Sequence, residues 1–405
     1  MKCNQWTLAL LGAGLISLPS VTNAEEKPNS IVTALSSTTL SGYVDTSAEW
    51  NPGTGNQNLP PYAFSSGKAD GFNLDVVKLT LEKPVDQADN WGAGYKVDLV
   101  MGPDANSLAT SSDLNNADFG VKQAYVALHA PVGNGLDFKM GVWDTIIGYE
   151  VFEAGNNPNF TRSWGYTIEP TTHTGVQATY VFCESFSATV GIANTFGSTI
   201  NGRAVNNDGT QRESYKTYMG SVTFTAPTNT SFLAGSTLTA CIINGWNASV
   251  PEGDDTHYYV GGTMNTPVTG LKLGFAFDDL DARAAQGETW TLGGYVAFQA
   301  TEKLSLYGRA EYLRDRGNQK YFTKTVLTDP TDPTSGVTVP TNPDKVLSLT
   351  GTIQYDLWKN VLSRLEVRWD HSASGQGVWG STVAGTGTGN ERNAVVLAAN
   401  VIYKF

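Results

Sequence analysis

The chain has 405 residues, a formal net charge of −12 and only 16 % charged residues, against roughly 25 % in an ordinary soluble domain. That acidic balance, with no Lys/Arg cluster, excludes a nucleic-acid partner. No internal stretch approaches the ~20 consecutive apolar residues of a membrane helix, so the length accommodates two or three domains of ~150 residues or one large barrel.

The chain opens like a secretory signal. Lys2 supplies the positive start, Trp6 to Leu18 an apolar run, and Thr22 and Ala24 the small residues of a cleavage site. Residues 1–24 are therefore predicted to be a signal peptide, 25–37 a short polar leader and 38–405 the folded body. A single membrane anchor is the alternative, but the run is short for one. Cys183 is expected in a turn and Cys241 in a strand, both as isolated thiols, because two cysteines make no disulfide framework.

The body then alternates with a period of two. Val44, Ala48 and Trp50 oppose Asp45, Ser47 and Glu49; Val77, Leu79 and Leu81 oppose Lys78, Thr80 and Glu82. Tyr95, Val97 and Leu99 alternate with Lys96 and Asp98, and Phe138, Met140 and Val142 with Asp137 and Lys139. The pattern recurs through Tyr180, Val190, Val222, Val260, Phe275 and Leu292, and again at Leu304 to Tyr312, where Arg309 and Glu311 take the polar face. Successive strand side chains point to opposite faces, so each run has an apolar and a polar side.

Val361 to Asp370 is the clearest case. Leu365, Val367 and Trp369 point one way, and Arg364, Glu366, Arg368 and Asp370 the other. Four charges in a row cannot enter a dry core without a large desolvation cost; they can line a wet channel or face bulk solvent. The last strand, Asn393 to Phe405, ends on an aromatic and resembles the closing strand of bacterial outer-membrane β-barrels, where that residue helps the insertion machinery recognise the chain. An ordinary C-terminal strand of a soluble sheet is the alternative.

About sixteen strands of ~10 residues emerge, the span of tilted membrane strands. Their connections alternate short (near Pro84, Pro131, Glu184, Pro227, Pro267, Thr301 and Asn360) and long (Asn51 to Gly71, Gly102 to Ala117, Thr145 to His173, Phe196 to Ser214, Arg316 to Pro343 and Ser372 to Asn390). Short periplasmic turns and long outer loops are the barrel arrangement, and Trp50, Trp91, Trp290, Tyr312, Trp369, Tyr403 and Phe405 lie near strand ends, where interfacial girdles are expected. The fold class predicted is all-β, a transmembrane antiparallel β-barrel.

Within the third long loop, Gly141, Trp143, Thr145, Gly148, Tyr149 and Glu150 form a G-x-[FW]-x-T-x-x-G-Y-E run. Asn157-Pro158, Arg162-Ser163 and His173-Thr174-Gly175 follow. In these motifs the chain resembles the outer-membrane porins called OmpL-like, with the likeness extending from about Gly42 to Phe405. The resemblance implies a porin and no settled substrate. In general porins the third loop folds into the barrel and narrows it. By that likeness Glu150, Glu153 and Arg162 are candidate constriction residues, with bends at Gly148 and Gly155; otherwise they sit on an outer loop in bulk water. The candidate pore-lining residues are Lys78, Lys96, Asp98, Asp137, Lys139, Arg309, Glu311, Arg364, Glu366, Arg368 and Asp370. Both signs occur, and the acidic loops hint at weak cation preference.

No catalytic group, metal site or cofactor is expected. His129, His173, His257 and His371 have no partner at ligand or triad spacing, and Asp278, Asp279 and Asp281 are taken as solvated charge in an outer loop. The expected function is passive diffusion of small hydrophilic solutes and ions through a bacterial outer membrane. The expected partners are membrane lipid, the barrel-insertion machinery and the solutes, with the oligomeric state open and a homotrimer among the options. The rival readings are a barrel enzyme or adhesin acting through its long surface loops, and a soluble secreted β protein.

Overall fold

The computed structural model describes residues 37–53, 59–60, 68–85, 90–107, 118–205, 210–246, 254–282, 287–316, 323–327, 336–340, 344–375, 377–380 and 389–405. The signal peptide and most of the polar leader expected from the sequence lie outside the described residues. From Thr39 onward the alternating runs become strands: β1 (Thr39–Trp50), β2 (Gly71–Lys83), β3 (Gly92–Met101), β4 (Phe119–Ala130), β5 (Leu136–Asp144) and β6 (Thr172–Cys183). Next come β7 (Phe186–Ala193), β8 (Thr217–Thr225), β9 (Thr237–Trp246), β10 (Asp254–Asn265), β11 (Leu271–Ala282) and β12 (Gly287–Gln299). The chain finishes with β13 (Leu304–Arg316), β14 (Thr323–Leu327), β15 (Gly336–Pro340), β16 (Lys345–Trp358), β17 (Val361–Ser372) and β18 (Asn393–Lys404). Two short helices, α1 (Pro103–Ser107) and α2 (Trp164–Ile168), lie in loops.

All strands but β14 and β15 close one antiparallel barrel in chain order, with β18 beside β1. This is the sixteen-strand barrel the alternation predicts. The β14–β15 pair is a separate hairpin inside the long connection after β13, where the sequence reading has only a loop. The closing seam runs from Tyr43↔Lys404 to Trp50↔Leu397, and Gly42 and Phe405 exchange backbone hydrogen bonds of 3.0 Å. Every edge of the sixteen barrel strands is thereby paired, which closure alone achieves.

The apolar rows form the outer face. Val190, Leu292, Leu349, Ile353, Leu365 and Val401 are exposed there, as a lipid-facing wall requires. The rim carries Trp50 and Trp91 at 57 % and 78 % exposure, and Trp290 packs near Tyr312 with ring centroids 5.4 Å apart.

The inner face departs from the simple wet lining. Trp164, Ile147 and Ile168, from the segment between β5 and β6, join Ile243, Leu280, Leu313, Val346 and Trp379 in an apolar cluster inside the barrel. Asp278, Asp279 and Asp281 lie in β11, not in an outer loop as the sequence reading has them. Asp278 is fully buried, 3.0 Å from His257 Nε2. The alternation of β11 continues further than its acidic tail suggests, and β10 pairs with it along the whole length. Cys183 ends β6, exposed and not in the turn; Cys241 is buried in β9; both are free thiols.

Gly141 has φ +134°, and a Cβ there would lie 2.3 Å from the Ala124 carbonyl oxygen. The first motif glycine thus answers to backbone geometry. Gly141→Ala is expected to destabilise the barrel by about 1–3 kcal/mol, seen as a lower urea midpoint for the folded band on unheated gels.

Candidate functional site

Between β5 and β6 the chain turns inward and docks on the far wall. Ser163 caps α2 by accepting a 3.1 Å hydrogen bond from Tyr166 N, a role Ser fills well. Phe152, Asn157, Asn159, Thr161, Arg162, Trp164 and Tyr166 are all buried. A loop in bulk water cannot be buried this way, and its backbone polar groups need partners.

The charged row of β17 and its neighbours supplies them. Glu366 accepts from Phe160 N (2.6 Å), Thr161 N (2.9 Å), Thr161 Oγ1 (2.6 Å) and Thr352 Oγ1 (2.6 Å). Arg364 donates to the carbonyls of Ala154 (2.8 Å) and Asn157 (2.7 Å). Arg368 donates to the Arg162 carbonyl at 2.7 Å and holds Asp370 through two bonds of 2.8 and 2.9 Å; Asp370 also accepts from Trp164 Nε1 at 2.8 Å. On β13, Arg309 donates to Glu150 at 2.7 Å and to the Thr161 carbonyl at 2.7 Å, with its Nε 2.7 Å from Glu311. Glu311 in turn accepts from Trp164 N at 2.6 Å.

These six wall residues, Arg309, Glu311, Arg364, Glu366, Arg368 and Asp370, face the interior, yet the loop covers them and each is at most 4 % exposed. The desolvation cost that seemed to bar them from a dry site is offset by charge-assisted hydrogen bonds to backbone that would otherwise be buried unpaired.

The remaining sequence-predicted residues fall into other places. Lys78 sits between Glu153 and Asp98, 3.0 Å from the latter, and Asp98 also accepts from Thr80 (2.6 Å) and Gln123 (2.9 Å). Asp137 lies 2.6 Å from His129 Nδ1. Lys96 and Lys139 line a cavity of about 870 Å³ beneath the loop. Within the loop, Arg162 turns back to the carbonyls of Phe160 (2.9 Å) and Phe152 (2.6 Å), and Glu150 accepts from Ser163 N at 2.8 Å.

Sequence reasoning missed several anchors. Lys404 donates to the Gly155 carbonyl at 3.1 Å, Asn159 to Thr352 at 2.7 Å and Cys241 Sγ to the Ile146 carbonyl at 3.2 Å. Lys122 contacts Asp144, and Tyr149 stacks on Tyr295 with centroids 3.9 Å apart. Only Tyr149 lay in a recognisable motif.

Two loop carboxyls have displaced titrations. Burial pushes Glu153 up, but the Lys78 and Lys122 ammonium groups outweigh it and hold the carboxyl below its ordinary 4.5. Burial, then the neighbouring Asp278 carboxylate, drives Glu169 well above that value. Among the described residues no group of His, Cys, Asp and Glu is arranged to hold a metal ion.

Solved structures share this fold. The anion-selective porin from Comamonas acidovorans matches at TM-score 0.59 and 12 % identity, covering 91 % of this chain and 99 % of that one. Pseudomonas putida OprB matches at TM-score 0.57 and 10 % identity, covering 93 % and 96 %. OmpT, an outer membrane protein of Vibrio cholerae solved in a trimer form, matches at TM-score 0.52 and 13 % identity, covering 91 % and 99 %. No curated protein matches the sequence. A family model described as "Putative beta-barrel porin-2, OmpL-like" matches residues 37–405, and the chain therefore belongs to that family of outer-membrane porins.

Proposed function

We propose that the barrel is a water-filled outer-membrane pore for passive diffusion of small hydrophilic solutes and ions, narrowed by the segment from Thr145 to Thr171. The observation carrying this is the loop itself. A segment that long is held inside the wall by buried charges that grip it from Glu150 to Trp164, which sets a fixed aperture rather than a flexible lid. Glu150, Glu153 and Arg162 act in that reading as clamps that shape the opening, and Lys96 and Lys139 as charges on its wetted wall. Lipid meets the apolar outer face, and the insertion machinery reads the seam-forming strand that ends at Phe405. The trimer form of the Vibrio cholerae protein supports a homotrimer as the assembly to test by cross-linking. Purified protein in planar bilayers is expected to give stepwise conductance; a folded, inserted barrel that passes no current sinks the proposal.

The displaced carboxyls give this pore a pH dependence. Glu153 titrates below 4.5 in place, so its contribution to docking is intact above that value and is lost as the pH falls below it. Glu169 titrates above 4.5 in place, so docking is favoured at or below that value and weakens as the pH climbs toward the raised one. Current fluctuations should grow as acid protonates Glu153 and grow again as alkali ionises Glu169. Glu169→Gln should shrink the alkaline arm and leave the acid arm unchanged, and an alkaline arm of undiminished size rules out this assignment.

A further inference from the structure

Beneath the docked loop, toward the short-turn end, lies the chamber of about 870 Å³, within the ~300–1,000 Å³ of small-molecule sites. Its wall from β6 to β10 is a sheet of hydroxyls. Thr223 and Thr239 share a 3.0 Å hydrogen bond, and Thr237 and Thr263 one of 2.9 Å. Thr189, also on the lining, is bonded to Thr179 at 2.9 Å. A hydroxyl both donates and accepts. A carboxylate offers such a wall only acceptors and an ammonium only donors, whereas another hydroxyl offers both.

Four tyrosines, Tyr125, Tyr149, Tyr259 and Tyr307, add aromatic surface. Tyr149 is fixed by its stack on Tyr295. The Tyr259 ring lies over Gly261, where a Cβ would meet its hydroxyl at 2.1 Å. Aromatic faces are electron-rich and attract the positive edges of C–H groups, which a sugar ring presents beside its hydroxyls.

Charge is sparse on this lining. Asp144 is taken by Lys122, Lys96 lies 4.0 Å from Asp98, and Lys139 sits 5.1 Å from the Tyr125 ring centroid. The loop acids turn away from the chamber, Glu150 to Arg309 and Glu153 to Lys78. The weak cation preference hinted at by acidic loops therefore finds no acid ring here.

We propose that this chamber is a binding site for an uncharged, hydroxyl-rich solute, a short saccharide, which passes through it by way of the hydroxyl wall and the tyrosine faces. The proposal rests on the reading of the barrel as a pore. Two measurements separate them: calorimetric titration of maltotriose into protein in lauryldimethylamine oxide micelles, and block of ion current by maltotriose against polyethylene glycol of equal hydrodynamic size. Saturable binding and a block exceeding that of the glycol are expected. Thr223→Val with Thr239→Val should raise both half-saturation concentrations about 10-fold, the worth of roughly two neutral hydrogen bonds. The paired Thr→Ser change, which keeps the hydroxyls, should restore them. Block equal to that of the glycol, or binding of citrate and phosphate but not of the sugar, overturns the proposal. Binding by calorimetry without any ion current would overturn the pore reading and leave the chamber standing.

Discussion

Arg309→Ala is expected to release the inward loop and to destabilise the protein by about 3–5 kcal/mol, the range for breaking a buried ion pair by removing one partner. The Arg309 side chain is 0 % exposed and so is that of Glu150, with Glu311 at 2 %. Removing the guanidinium leaves two carboxylates without their cation in a buried site, and takes the 2.7 Å partner from the Thr161 carbonyl, while the Arg162 carbonyl keeps only Arg368. The nearest escape is for the loop to swing out and let water in. Arg309→Lys should rescue little, because one ammonium cannot reach Glu150, Glu311, both carbonyls and Thr350 together. Single-channel conductance should rise and the urea midpoint fall. A variant with native conductance and native midpoint would refute the clamp.

Glu366→Gln should have an effect nearly as large, by a different route. Every donor around Glu366 points at an oxygen, and the amide replaces one acceptor with a donor aimed at other donors. Hydrogen bonds to a charged group are worth about 1.5–3 kcal/mol each, and at least one is lost outright, so a cost of about 2–4 kcal/mol is expected. The two substitutions should not add. Glu366 and Arg309 both grip Thr161, through its backbone N–H and carbonyl and through its hydroxyl at 2.6 and 3.1 Å. Once one grip fails, the other loses its fixed hold on Thr161 as well. The double variant should therefore fall well short of the sum, read as a negative coupling in a double-mutant cycle on the urea midpoint. Full additivity would mean that the two anchors act on separate segments.

Much of this architecture was legible because a barrel writes itself as a period of two. Val361 to Asp370 gave both faces of β17 directly, the alternating runs gave the strand count, and the short and long connections gave the two ends of the barrel. The loop motif was visible too, but its meaning was not. Gly141 serves a positive φ, Tyr149 a stack on Tyr295, and Glu150 a clamp on Arg309; each partner lies on a different part of the chain. The row Arg364, Glu366, Arg368 and Asp370 was read as facing water, since a strand pattern reports which face a residue is on and not what covers that face. The same blindness hid Asp278, whose place in β11 depends on pairing with β10, and the apolar cluster around Trp164, whose members look like ordinary strand interruptions until the loop arrives. The hydroxyl wall was hidden because Thr is equally common wherever strands are, and only the register of β8 on β9 and of β9 on β10 brings Thr223, Thr239 and Thr263 to one surface.

The reach of the loop contacts has a consequence for assembly. Phe160 and Trp164 bind partners 206 residues further along, on β17, and the seam itself joins Thr46 to Val401 across 355 positions. Loop-closure entropy must be met before contacts of that span repay it. Hairpins made of neighbouring strands can form early and locally, but the segment that fills the lumen has nowhere to settle until almost the last strand is laid down. The aperture is then the final thing to take shape, and any intermediate stalled short of β17 is an open sheet with two unpaired edges and no docked loop.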